Sequence, residues 1–207
     1  MDNLLQIKDA VPIVLALIIS AAPHEMMHAF TAYKLGDDLA HSHGRISLNP
    51  MRHIDPILTI ALPFFSLVLG GGIIMAAKPV PINTSRIRGG ENGLALTALA
   101  GPLTNLVFAG LLSLPLNMMS HGGPIFEFTK ILFLVNIGLF VFNMLPIPPL
   151  DGSRLVYAIA PRPVQRVFEI IESQGIFFFL ILIMIFGTAI YPVIDKAQAL
   201  LINFFIR

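Results

Sequence analysis

The sequence predicts an all-α integral membrane protein, a polytopic helical bundle of about four to six membrane segments. Three observations lead there. The chain is 56% hydrophobic and only 12% charged, where a soluble domain carries about 25% charged residues. Its mean hydropathy is +0.81. Its apolar residues gather in runs at 11–33, 57–77, 93–119, 126–145 and 176–191. The first four approach the roughly 20 residues a spanning helix needs, and the fifth suffices if flanking residues snorkel.

Taken in order, the first run is not a cleaved leader. Asp2 and Asp9 outnumber Lys8 before it, and no small-residue cleavage site closes it. The second run holds Pro63 and Gly70-Gly71-Gly72, which favour a break. The polar joins explain why a break matters. Segment 34–56 carries Lys34, Arg45 and Arg52; 78–92 carries Lys78, Arg86 and Arg88; 150–175 carries Arg154, Arg162 and Arg166. If all three are cytoplasmic, nine of the thirteen basic residues lie inside, as the positive-inside rule prefers. The chain must then return to one side across 57–77, by a broken or re-entrant segment or by a span with an extended return through 78–83. After Pro192 the tail places Leu200, Leu201, Phe204 and Phe205 at helical spacing. It reads as an interfacial amphipathic helix or as a helix packed on the bundle.

Composition also excludes functions. A net charge of +1 offers no concentrated basic surface for nucleic acid. With no cysteine, disulfides, thiolate ligands and cysteine nucleophiles are ruled out.

The strongest local signal is His24-Glu25-Met26-Met27-His28 inside the first run. On a helix the two histidines sit one turn apart on one face and reach one ion, while Glu25 is displaced to where a base would stand. Imidazole with a carboxylate, three protein ligands and an open position suit zinc. Ionisable groups within a span are costly and usually functional. The third ligand is expected from Asp151, at the end of Asn143-Met-Leu-Pro146-Ile-Pro148-Pro149-Leu-Asp151-Gly152. There the prolines stop the helix and leave an extended stretch, and Gly152 permits a sharp turn. His24 lies ten residues before Lys34, so about 15 Å below that surface at 1.5 Å per residue. For it to meet Asp151, both must approach one membrane face, which is the condition the basic joins impose.

H-E-x-x-H in one membrane segment and N-x-x-P-x-x-P-x-D-G at the end of a later one resemble the site-2 protease family of intramembrane zinc metalloproteases. Ala100-Gly101-Pro102 at the head of the third run is similar to that family as well. The resemblance covers roughly residues 11–160. It implies one zinc ion held by His24, His28 and Asp151, with Glu25 as the base. It also implies hydrolysis of peptide bonds in a transmembrane helix of another membrane protein, and a supporting role for Asn143 at the substrate carbonyl. The expected organisation is a single membrane-embedded domain over 1–207: a catalytic core at about 11–160, and a C-terminal segment and tail at about 176–207. No room is left for the PDZ domain many members carry. The expected location is the plasma membrane of a prokaryote, with the site opening to the cytoplasm.

Further readings stay open at this point. Lys78–Asn83 could form a small β element with Arg45–Leu48 and accept an unwound substrate, or merely pack as a proline-rich loop. His41, His43 and His53 read as solvated surface, and Asn105 and Asn136 as structural polar groups, with Asn105 the nearer to the site. Against the protease stand a metal transporter and a catalytically silent helix-binding scaffold. The acids at a single depth disfavour the first, and the intact Glu25 and Asp151 disfavour the second. A prenyl-protein type of zinc protease would need a glutamate ligand, and Glu127, Glu169 and Glu172 lack matching surroundings.

Overall fold

The structure is a computed structural model and describes residues 2–55, 59 and 77–206. It is an all-α bundle. The helices are α1 (Asp2–Lys34), α2 (Leu39–Ser42), α3 (Gly90–Met118), α4 (Pro124–Asn143), α5 (Asp151–Ile159), α6 (Arg162–Ser173) and α7 (Gly175–Phe205), with 3₁₀ turns at Pro50–Arg52 and Thr84–Arg86. Among the described residues, four helical stretches are long and apolar enough to cross a membrane: Ala10–Lys34, Gly90–Met118, Pro124–Asn143 and Ile181–Phe205. The expectations for 57–77 lie almost wholly outside the described residues.

Small side chains decide how α1 and α3 meet. On α1 the residues Ala16, Ser20, His24, His28 and Ala32 recur every fourth position and are all buried, while Val11, Leu15, Ile19 and Phe30 are exposed. On α3 the same spacing runs through Gly93, Thr97, Gly101, Asn105, Ala109 and Ser113, again all buried. Without a hydrophobic drive between helices in lipid, such small-residue faces let backbones approach and dispersion do the work. Both stripes are polar in their middle, which places the histidines between the helices. Helix α3 packs on α1, α4 and α5, and so forms the centre of the bundle.

The apolar core lies further along α3 and α4, where Ala109 and Leu116 meet Phe126, Phe133, Ile137 and Val141. Here the tail departs from one expectation. Helix α7 runs unbroken through Pro192, and Ile194, Ala197, Leu201, Ile202 and Phe205 pack against this core. Phe205 meets Phe133 edge-on at 6.3 Å between ring centroids, and Asn117 Nδ2 donates to the Phe205 carbonyl at 2.9 Å. Leu201 and Phe205 are thus turned to the bundle, while Leu200 and Phe204 of the same stripe stay exposed. A proline inside a helix loses one backbone bond, and the tail residues that pack on the core, from Ile194 on, lie beyond it.

The two polar joins 34–55 and 77–89 lie side by side. Helix α1 ends at Gly36, whose φ of 108° is a conformation glycine adopts without strain. The fully buried Asp37 then accepts from the backbone N–H of Leu39 at 3.1 Å and of Asn83 at 2.6 Å. Arg88 donates to the carbonyls of Lys34 and Leu35, Arg86 pairs with Asp38, and the Lys78 N–H bonds the His53 carbonyl at 2.8 Å. The chain therefore comes back to the same end of the bundle after residue 76, as the basic joins required. No strand forms among the described residues. Arg45–Leu48 and Lys78–Asn83 are tied by the Arg45 guanidinium on the Lys78 carbonyl, not by a ladder, so the β element is absent there. Pro79 and Pro81 supply no donors for such a ladder.

Candidate metal centre

His24 and His28 lie on the buried face of α1, 6% and 7% exposed. Asp151 opens α5, where the partial positive charge of a helix N-terminus favours a carboxylate. The chain reaches it through a compact corner. Leu145 N–H bonds the Phe142 carbonyl and Leu150 N–H the Ile147 carbonyl, so 144–150 coils back where an extended stretch was expected. Gly152 matters for clearance, not for an unusual backbone angle. A Cβ there would lie 2.3 Å from the Met144 carbonyl oxygen and 2.8 Å from that of Leu145. Only glycine lets α5 start beneath the corner and deliver Asp151 to the histidines.

The three candidate ligands converge. His24 Nε2 and His28 Nε2 are 3.0 Å apart, and Asp151 Oδ2 lies 3.2 Å from the first and 3.4 Å from the second. For zinc bonds near 2.0–2.1 Å, the edges of a tetrahedron are about 3.3–3.5 Å, so the triangle is close to one face of such a site. The proton inventory agrees. His28 Nδ1 faces the Thr97 carbonyl at 2.8 Å and His24 Nδ1 faces Asn105 Oδ1 at 2.5 Å. Both are acceptors, so each ring carries its proton on Nδ1 and turns a lone pair of Nε2 inward. One proton can serve one pair of these inward atoms, whereas a divalent cation at their centre serves all three. The donor set fits zinc.

Gly101 of α3 closes the other side. A Cβ at this position would stand 2.3 Å from His28 Nε2 and 2.6 Å from His24 Nε2. The site lies where two small-residue stripes cross.

Glu25 is half-buried and is absent from the cluster of ligand atoms within 4.8 Å of one another, which holds His24, His28 and Asp151. Four and seven residues before it, on the same face of α1, Ala21 and Ile18 line a small cleft with Pro50, His53, Ile54 and Ala77. Glu25 thus looks towards the 45–53 join. Asn143 stands on the last turn of α4 and spends one amide hydrogen on the Leu139 carbonyl at 3.0 Å.

Two groups differ from their sequence reading. His41 and His43 are exposed as expected, but His53 is only 3% exposed. Its Nε2 donates to the Ser47 carbonyl at 2.7 Å, and burial holds the ring below the ordinary imidazole value despite that bond. Asn105 is bonded directly to a candidate ligand. Its place on the i, i+4 stripe behind Gly101 was the signal for it.

The model of Peptidase family M50 matches residues 112–183, the stretch that carries Asn143 and Asp151. The chain is 34% identical over 205 residues to "Putative zinc metalloprotease YwhC" of Bacillus subtilis, covering 93% of this chain and 90% of that one. It is 30% identical over 176 residues to "Putative zinc metalloprotease Rip2" of Mycobacterium tuberculosis, covering 84% and 67%. It is 32% identical over 133 residues to "Putative zinc metalloprotease MJ0611" of Methanocaldococcus jannaschii, covering 64% and 62%. No solved structure matches it. The chain belongs to peptidase family M50, the site-2 protease family.

Proposed function

We propose that this protein is a zinc metalloendopeptidase that hydrolyses peptide bonds within transmembrane segments of other membrane proteins. His24, His28 and Asp151 hold one zinc ion and Glu25 is the general base. The observation that carries the reading is the triangle of inward lone pairs on His24, His28 and Asp151, about 15 Å along α1 from its polar end. The family and the relatives named putative zinc metalloproteases support the choice of metal and reaction.

A zinc ion at that position supplies Lewis-acid polarisation of a carbonyl and a water that ionises near neutral pH. The chain's own groups do the rest. Glu25, beside the ligands and not among them, takes the proton of the attacking water and returns it to the leaving amine. Asn143 has a second amide hydrogen to give, and donates it to the substrate carbonyl oxygen as negative charge develops. A helical substrate must unwind before its bonds are exposed, and it arrives through the lipid. The membrane is the plasma membrane of a prokaryote, in line with bacterial and archaeal relatives, and the site opens towards the cytoplasm with the basic joins.

Two experiments test this. Membrane proteins of cells carrying the unmodified chain are compared with those of cells carrying Glu25→Gln. The expected result is accumulation of intact membrane proteins in the variant and loss of termini that map inside their spans. Changes confined to soluble proteins would overturn the reading. For the orientation, single cysteines at the exposed Ser42, Ser85 and Ser173 should react with an impermeant thiol reagent from the cytoplasmic side, and one at Ser120 from the other. Labelling of Ser42 and Ser85 from outside the cell would reverse the assigned opening.

A further inference from the structure

Behind His24 lies a set of buried amides that the ligand assignment alone does not require. Ser20, Asn105 and Asn136 come from α1, α3 and α4 and are each at most 1% exposed. Their bonds have a direction that two backbone carbonyls impose. Asn136 Nδ2 donates to the Leu132 carbonyl at 2.8 Å and to Ser20 Oγ at 2.9 Å, which uses both its hydrogens. Its Oδ1 is left to accept from Asn105 Nδ2 at 2.9 Å. Asn105 Nδ2 gives its other hydrogen to the Ser20 carbonyl at 3.3 Å. Asn105 Oδ1 is therefore the atom facing His24 Nδ1 at 2.5 Å. Turning either amide over would set carbonyl oxygen against carbonyl oxygen in a dry site, where unpaired polar groups are costly.

We infer that Asn105 is a positioning residue of the metal centre: held in one orientation by Asn136 and Ser20, it fixes His24 as the Nδ1–H tautomer and aims Nε2 at the ion. His28 receives the same service from a backbone carbonyl, Thr97, which no side-chain change can remove. His24 depends on a side chain. The inference rests on the zinc reading above and extends it outward by one shell. Partners of this kind commonly contribute 10- to 100-fold to metal affinity.

An interhelical clamp would need the Asn105–Asn136–Ser20 bonds but not the oxygen facing His24, and this difference makes the inference testable. Zinc affinity is measured on the purified full chain in detergent by competition with a chromophoric chelator, beside the thermal midpoint of each variant. Asn105→Leu removes both functions and should bind zinc about 10- to 100-fold more weakly. Asn105→Asp keeps an acceptor for His24 while losing the clamp's donors. It should lower the midpoint yet stay within about threefold of the unmodified affinity, since a carboxylate is a common partner of a ligating histidine. Leu116→Ala, a cavity in the core eleven residues along α3 from Asn105, should lower the midpoint with affinity unchanged. Where Asn105→Leu fails to fold, Asn105→Ser serves the same comparison, its hydroxyl too short to reach His24. Equal losses in the aspartate and leucine variants, or full affinity in leucine or serine, would overturn the inference. An unmodified chain that binds no zinc would bring down the metal reading itself, and this inference with it.

Discussion

Gly101→Ala should empty the metal centre while leaving the helices in place. The added methyl would stand 2.3 Å from His28 Nε2, 2.5 Å from His28 Cε1 and 2.6 Å from His24 Nε2, well inside van der Waals contact. Neither ring can retreat, because Thr97 and Asn105 hold them from behind. The substitution occupies the space the two nitrogens share. Alanine is also the better helix former by about 1 kcal/mol, so the secondary structure of α3 should survive. The expected result is zinc content below a tenth of the unmodified level with unchanged far-ultraviolet circular dichroism. Full zinc content in this variant would mean that α1 and α3 do not approach as described.

The second large effect is a division of residues by what they lose. Glu25→Gln should keep zinc and lose cleavage by roughly 10²- to 10⁴-fold, the usual share of a positioned base. His24→Ala, His28→Ala and Asp151→Ala should lose zinc and cleavage together. Asn143→Ala should keep zinc and lose about 10²- to 10³-fold in turnover normalised to bound zinc and folded protein, as for one lost oxyanion donor. Metal content and turnover measured on the same preparation separate the groups. Loss of zinc in Glu25→Gln equal to that in His28→Ala would remove Glu25 as a base. A normalised rate within about threefold of normal would leave Asn143 as a residue that bonds Leu139 and does no more.

What could be read in the sequence was local. The helix period placed His24 and His28 on one face with Glu25 turned aside, and hydropathy placed that helix in lipid. The family motifs then paired the histidines with Asp151. What could not be read depended on partners far along the chain. The period of α3 marks Asn105 as inward, but not that its inward neighbour is His24. Gly152 looked like a turn residue, because its real constraint, the carbonyls of Met144 and Leu145, exists only once the corner has coiled. His53 seemed solvated because its loop is polar, yet it is buried beside Ala21 and Ile18 of α1. The tail's stripe was equally suited to lipid headgroups and to a protein face, and the fold divides it: Leu201 and Phe205 pack on the core with Phe133, while Leu200 and Phe204 stay exposed.

Under the proposed function, the corner at 144–150 also sets when the protein can first act. A chain made from its N-terminus puts α1, with its histidines and Glu25, into the bilayer long before residue 151 leaves the ribosome. Until α4 is inserted and the corner has closed over Gly152, the nascent protein holds two imidazoles and a base with no carboxylate to complete them. On the proposed function, hydrolytic competence would therefore arrive only after the bundle that confines it has been assembled.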